Sequence, residues 1–182
     1  MMLENMILEN VKNMPPSGIR KYFDMVHEME GVISLGVGEP DFVTPWNVRE
    51  AGIYSLEKGH THYSSNAGFL ELRYEISRYL YRRFNLSYHP ENEILVTVGG
   101  SEGIDLALRA LVGPGDEVII PEPSFVAYKG CTTFTGATPK VIELKAENEF
   151  KLTKEELLEA ITPKTKVLIM PFPNNPTGAI MT

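Results

Sequence analysis

Two neighbouring amide side chains, Asn174 and Asn175, lie where a short apolar strand, Val167–Met170, gives way to a turn rich in proline and glycine. Amide groups donate and accept hydrogen bonds without carrying charge, which suits them to recognising a phenolate or a carboxylate. Open α/β sheets bind ligands at the carboxyl ends of their strands. The pattern therefore predicts that an amide of this pair faces a ligand, and an Asx turn is the purely structural alternative.

A second candidate for chemistry is the glycine-rich run that opens with Gly99 and Gly100 and continues through Ser101, Glu102 and Gly103. It is predicted to lie at the start of a helix, where free backbone N–H groups and the helix dipole favour an anion. The spacing fits neither a P-loop nor a dinucleotide fingerprint, because the lysine and the third glycine are missing. A phosphate site and a plain tight turn capped by serine both remain open.

Other segments offer single groups rather than a constellation. Gly38 could present a backbone N–H to a carboxylate, although a linking turn explains it equally simply. Phe125, together with Tyr128, is expected to begin a helix and could stack on a planar ligand or pack in the core. Tyr63 lies in a polar loop beside His60 and His62, and we reject a metal site there because no third ligand lies nearby in the sequence.

Helices and short apolar strands must position these groups, and they alternate from Trp46 onward. The predicted helices cover Asn47–Lys58, closed by Gly59, then Phe69–Phe84, a stretch from Ser101 to Val112, Ser124–Phe134 and a segment reaching Ile161 that starts with a capping box of Thr153 and Glu156. The predicted strands are Glu93–Val98, Glu117–Ile120, Lys140–Leu144 and Lys166–Met170. This order predicts an α/β fold, with a mostly parallel sheet between helices in three α/β/α layers. Residues 1–46 are expected to form an arm, with a helix over Ile19–Glu28 and a strand over Val32–Leu35.

Composition narrows the class of protein further. The 182 residues carry a net charge of -7, which argues against nucleic acid or an anionic membrane as a partner. No apolar run reaches the length of a membrane span. Cys131 is the single cysteine, so an internal disulfide is impossible and a reducing compartment, the cytoplasm, is expected. A lone cysteine in apolar surroundings is interpreted as packing rather than as a nucleophile.

In order along the chain, these segments resemble the class I/II aminotransferases, which are fold type I pyridoxal phosphate (PLP) enzymes. The match covers almost the whole chain, and PNNPTG is its most specific motif. The matching pieces are LGVGEPDFVTP (residues 35–45), Tyr63–Gly68, Val98–Gly103, Gly113–Glu117, Pro121–Tyr128 and PNNPTG (residues 173–178). The resemblance implies that residues 47–182 are the N-terminal part of a PLP-transferase-like large domain, and that residues 1–46 are an arm with a small-domain segment.

The resemblance also implies roles for individual residues. Gly100, Ser101 and Glu102 would hold the cofactor phosphate, and Phe125 would stack on the pyridine ring. Asn175 would donate a hydrogen bond to the phenolate oxygen, after a cis bond to Pro176. The two remaining roles are a place for Gly38 beside the substrate carboxylate and a contact from Tyr63 to the phosphate of a partner subunit. The implied substrates are an amino acid and a 2-oxo acid, and the implied assembly is a homodimer.

The chain departs from the family pattern in one respect. The Schiff-base lysine, the acidic partner of the pyridine nitrogen and the substrate-binding arginine would all follow PNNPTG, and no lysine of this chain has the required context. We therefore expect an N-terminal fragment of an aminotransferase-like enzyme, or a truncated relative, with no catalytic residue of its own. A PLP-dependent C–S β-lyase of the same fold and a non-catalytic fragment or dimerising module remain alternatives.

Overall fold

The computed structural model describes residues 6–15, 18, 22, 25, 31, 33, 38 and 40–181. The chain divides into two compact units, of which one joins residues 1–17 with residues 98–182 and the other comprises residues 18–97. The expected helix over Ile19–Glu28 and strand over Val32–Leu35 lie largely outside the described residues. Both therefore stay predictions.

Two helices with described bounds lie in the unit of residues 18–97. Helix α2, Trp46–Glu57, confirms the first predicted helix to within a residue, and it ends before Gly59, whose positive φ of 74° makes it the expected closing glycine. Helix α3, Leu70–Phe84, confirms the second and ends at Asn85 in the left-handed conformation. Each helix thus ends at or near a residue that tolerates positive φ. Gly59 follows shortly after α2, and Asn85 directly follows α3.

The predicted strand Glu93–Val98 is wrong, because residues 94–97 belong to no sheet. A short run of apolar and β-branched residues favours a strand, but a strand also needs a neighbour to complete its hydrogen-bond ladder. Val96 instead donates its backbone N–H to the Ala67 carbonyl oxygen at 3.1 Å. Gly68 makes this contact possible, since a Cβ there would lie 2.6 Å from the Val96 Cβ.

The other unit contains a three-stranded parallel sheet, in which the first strand along the sequence lies between the second and the third. Its helices are α1, Glu9–Lys12; α4, Gly100–Leu111; α5, Ala127–Phe134; and α6, Lys154–Ala160, with a 3-10 turn over Ala146–Asn148. Its strands are β1, Glu117–Glu122; β2, Thr138–Glu143; and β3, Thr165–Leu168. The predicted α/β class and parallel sheet are confirmed, and three of the four strands predicted from Trp46 onward are present.

Helices cover both faces of this sheet. Val118 and Ile120 of β1 pack with Leu108 of α4 on one face, where Tyr128 of α5 joins them. Ile119 points to the opposite face and packs with Ala160 of α6. Successive residues of a strand point to opposite faces of the sheet. The buried residues of β1 therefore contribute to the apolar clusters on both faces, which explains why they form a continuous apolar run.

Local hydrogen bonds fix the ends of the helices around the sheet. Thr153 and Glu156 form the predicted capping box at the start of α6, with each side chain bonded to the backbone N–H of the other residue. Helix α1 is tied to α5 by the side chain of Asn10, whose Nδ2 donates to the Thr133 carbonyl oxygen at 3.3 Å. Within the described helices, none combines the length and the apolar character that crossing a bilayer requires.

Candidate functional site

Helix α4 and strand β1 lie side by side with their chains running in opposite directions. The turn between them is tight, because the Asp116 carboxylate accepts the backbone N–H of Gly113 at 2.9 Å. Ile104, near the start of α4, packs in the same cluster as Ile120, near the end of β1. Twelve helical residues and six strand residues span similar lengths, about 18 Å and 20 Å. The N-terminus of α4 therefore lies toward the carboxyl edge of the sheet.

That N-terminus is shaped for close approach of a ligand to the backbone. The N-cap residue is Gly99, with φ of 85°, and no side chain caps the helix. A Cβ built on Gly100 would meet no heavy atom within 4 Å, and Ser101 beside it is exposed. The Glu102 carboxylate turns back and accepts the backbone N–H of Val98. Glu102 thus offers a ligand its backbone N–H, while its side chain braces the preceding loop.

The second feature of this edge is the loop that leaves β1. Helix α5 begins at Ala127 rather than at Ser124, so the predicted start is wrong and Phe125 lies in the loop. Ser124 provides no side-chain cap, and the first backbone bond of the turn runs from Tyr128 N–H to the Phe125 carbonyl oxygen at 3.2 Å. The half-buried Phe125 ring meets Tyr128 edge to face, with centroids 5.7 Å apart. Its position in the loop leaves the ring at the sheet edge.

The third feature is the turn that follows β3. The Asn174 N–H donates to the Ala179 carbonyl oxygen at 2.9 Å, and the Gly178 N–H donates to the Asn174 carbonyl oxygen at 2.8 Å. The Asn175–Pro176 peptide bond is cis, which confirms the prediction. Two further cis bonds, Glu122–Pro123 and Phe172–Pro173, were not predicted. Both backbone polar groups of Asn174 are thus hydrogen-bonded within the turn.

The two adjacent asparagines differ in burial and in hydrogen bonding. Asn174 is only 5 % exposed, and its Nδ2 donates to the Pro123 carbonyl oxygen at 2.9 Å. Its buried Oδ1 has no partner among the described residues. The Asn175 side chain is exposed and makes no hydrogen bond within the described part of the chain. Sequence reasoning named the pair but missed the anchoring role of Asn174, although adjacent residues of a tight turn rarely face the same way.

The sequence-predicted residues fall into two groups. Gly100, Ser101, Glu102, Phe125 and Asn175 all belong to the unit with the sheet, on the three segments that reach its carboxyl edge. The remaining two, Gly38 and Tyr63, belong to the unit of residues 18–97 and are both exposed.

Three titratable groups in the helical layer have structural explanations: an ion pair along α4 and a partly buried thiol. Arg109 and Asp105 form an ion pair at 2.7 Å along α4, where the hydrogen bond to Asp105 raises the pKa of Arg109. Burial raises the pKa of the nearby Cys131 thiol, which lies against the apolar cluster between sheet and helices. A thiol that stays protonated at neutral pH is a poor nucleophile. Cys131 is therefore a packing residue, as its sequence context indicates.

An open helix N-terminus, an aromatic ring and an exposed amide at one edge of a parallel sheet are typical of α/β proteins that bind a phosphorylated planar ligand. The sequence pattern of the aminotransferase class I and II family matches residues 30–182. The chain therefore belongs to that family.

Individual relatives agree with this assignment. YugH of Bacillus subtilis, an aminotransferase by name, is 56% identical over 170 residues, or 93% of this chain and 44% of its own length. Aromatic-amino-acid aminotransferase 2 of Thermococcus litoralis is 43% identical over 92% of this chain and 43% of its own. The structure of Thermus thermophilus aspartate aminotransferase with maleate superimposes with a TM-score of 0.87 at 37% identity, over 96% of this chain and 46% of its own. The chain thus spans less than half the length of these relatives.

The residues at the sheet edge fit pyridoxal phosphate, the cofactor of this family. Gly100 leaves space for a phosphate at the helix N-terminus, since no heavy atom lies within 4 Å of its Cβ position. Asn175 has an unused amide donor for a phenolate oxygen, and Phe125 offers an aromatic face of the size of a pyridine ring. The donor set therefore matches the phosphate, phenolate and ring of the cofactor.

Proposed function

We propose that this sequence is part of a PLP-dependent aminotransferase that moves an amino group from an amino acid to a 2-oxo acid. The observation that carries the proposal is the hydrogen bond from Asn174 to Pro123, which joins the Asn175 turn to the Phe125 loop at the carboxyl edge of β1 and β3, the edge toward which the N-terminus of α4 is directed. When bound, the cofactor supplies an electron sink for negative charge at the substrate Cα.

The residues of this chain bind and orient in this proposal. Backbone N–H groups of Gly100, Ser101 and Glu102 hold the phosphate, because they point out of an uncapped helix end with its positive dipole. Phe125 stacks against the pyridine ring. The Asn175 amide donates to the phenolate oxygen, and a donor to the ionised form lowers the pKa of that phenol.

The unit of residues 18–97 contributes two further groups to the proposal. Gly38 lies beside the substrate carboxylate, and Tyr63 reaches the cofactor phosphate of the partner subunit in a homodimer. The structure leaves the Tyr63 ring fully exposed in an open depression of about 440 Å³, which it lines with Thr61 and His62. An exposed aromatic residue with a hydroxyl group is the kind of side chain that favours a subunit interface.

The decisive experiment uses the protein encoded by the complete reading frame, purified and supplied with PLP. An amino acid donor is incubated with and without a 2-oxo acid, and the new amino acid, pyruvate and ammonia are all quantified. Aminotransferase activity predicts a new amino acid that forms only when the oxo acid is present. Release of pyruvate and ammonia from a cysteine conjugate without any oxo acid would instead identify the C–S β-lyase alternative.

The substrate class is tested with the same assay. Relatives of this chain are named for aromatic amino acids and for aspartate. A panel of donors should therefore contain phenylalanine, tyrosine, aspartate and alanine, each with 2-oxoglutarate and with pyruvate. The kcat/KM values across this panel assign the side-chain preference, since discrimination is a ratio of those values.

A further inference from the structure

We propose that Asn174 is a positioning residue that holds the cofactor-facing residues of two loops in register. The inference rests on the proposed function, because it concerns where the groups that meet the cofactor are held. Asn174 itself does not contact the ligand in this account. It acts through Asn175, which follows it in the turn, and through Phe125, two residues beyond the carbonyl that it binds.

A side-chain hydrogen bond joins the two loops. The Asn174 Nδ2 donates to the Pro123 carbonyl oxygen at 2.9 Å, across 51 residues of sequence. Only this orientation of the amide is compatible with that contact, since the opposite orientation would set Oδ1 against another acceptor. A buried bond of this kind fixes the β1 exit loop to the β3 exit turn.

Asn174 is also held within its own turn by backbone hydrogen bonds. Its backbone N–H and carbonyl oxygen are bonded to Ala179 and Gly178, at 2.9 and 2.8 Å. The residue is therefore tied to the turn by its backbone and to the other loop by its side chain. Loss of the side-chain bond leaves the turn closed but frees it to shift relative to Phe125.

The two neighbouring asparagines differ in burial. Asn174 is 5 % exposed, whereas Asn175 is exposed and has no hydrogen bond within the described residues. Anchoring and ligand contact are thus separated into two successive amides. A donor has to lie within about 3 Å of its acceptor, so a small shift of the turn weakens the contact from Asn175.

The test is a double-mutant cycle on the complete protein, read by the visible absorbance of bound PLP. We expect Asn174→Ala to weaken PLP binding about tenfold, the order of one lost hydrogen bond. Asn174→Ala should also raise the pH at which the visible absorbance of bound PLP changes. Asn175→Ala should raise that pH as well. Because Asn174 acts through its neighbour, the double variant should shift that pH no further than Asn175→Ala alone.

A matched control comes from the same unit. Asn10 also joins distant segments by donating Nδ2 to a backbone carbonyl oxygen, that of Thr133 at 3.3 Å, but it lies on α1. Asn10→Ala should leave both the PLP affinity and the absorbance pH profile unchanged. If Asn174→Ala does not fold, Asn174→Ser takes its place, because the shorter hydroxyl cannot reach the Pro123 carbonyl oxygen.

The outcomes separate this inference from the proposed function. A wild-type protein that shows no PLP absorbance overturns the proposed function and the inference with it. If the wild type binds PLP but the pH shifts caused by Asn174→Ala and Asn175→Ala add in the double variant, that result overturns the inference alone. Failure of both Asn174 variants to fold, while Asn10→Ala folds, identifies a purely structural residue and also overturns it.

Discussion

Replacing Gly100 by alanine should make the fold more stable and cofactor binding weaker, two effects of opposite sign. Gly100 is the first residue of α4, its φ is not in the left-handed region, and a Cβ there would meet no heavy atom within 4 Å. The substitution therefore introduces no clash. Alanine at a compatible position stabilises by about 0.4–1 kcal/mol, chiefly by restricting the unfolded chain. The melting temperature should therefore rise, by at most about 4 °C.

The same methyl group should obstruct the phosphate. Helical Cα–Cβ bonds tilt toward the N-terminus, so the new methyl group projects into the space off the helix end where an anion would sit. Losing one hydrogen bond to a charged group costs about 1.5–3 kcal/mol. This corresponds to PLP affinity that is weaker by roughly 10- to 150-fold.

The assay is a fluorescence titration of the complete protein with PLP, paired with a thermal melt of each variant. Gly130→Ala is the matched control, because Gly130 lies within α5 and also has no heavy atom within 4 Å of its Cβ position. It should raise the melting temperature without changing the affinity. Unchanged PLP affinity in Gly100→Ala, or an equal loss in both variants, would refute the assignment of the phosphate site.

Further predictions concern the groups that hold the sheet unit together. Thr153→Ala removes the capping box of α6 and should lower the free energy of unfolding, measured by urea titration, by about 0.5–2 kcal/mol. The backbone N–H of Thr153 lowers the pKa of Glu156 below its ordinary 4.5, so the stability from this group is present above that pH and is lost on acidification. Glu156→Gln, which can still form a capping box, should flatten the dependence of the melting temperature on pH below about 4.5. Ile119→Ala empties a fully buried position and should cost about 2–5 kcal/mol of unfolding free energy in the same urea assay.

Elements whose signals are local were predicted well from the sequence. The capping box of Thr153 and Glu156 is a short-range hydrogen-bond pattern, and the structure forms it as expected. The same holds for α2, which is ended by Gly59. The run Val118–Ile120 is apolar on both faces, and this is what a central strand between two helical layers requires.

Features that depend on distant partners were not predictable in this way. Residues 94–97 have the apolar and β-branched composition of a strand, but strand formation depends on a neighbour that no local pattern reveals. The bond from Asn174 to the Pro123 carbonyl oxygen joins residues 51 apart, so the motif alone did not tell which asparagine is buried. The segments that approach the sheet edge were identified, whereas the contacts that fix their geometry required the fold.

The most direct test of the central claim follows the amino group itself. The complete protein, loaded with PLP, is given a 15N-labelled amino acid and an unlabelled 2-oxo acid, and the products are analysed by NMR and mass spectrometry. We predict that the label appears in the amino acid formed from the oxo acid, in a one-to-one ratio with the oxo acid formed from the donor. Label released as ammonia, or no label transfer by protein that has bound PLP, would contradict it.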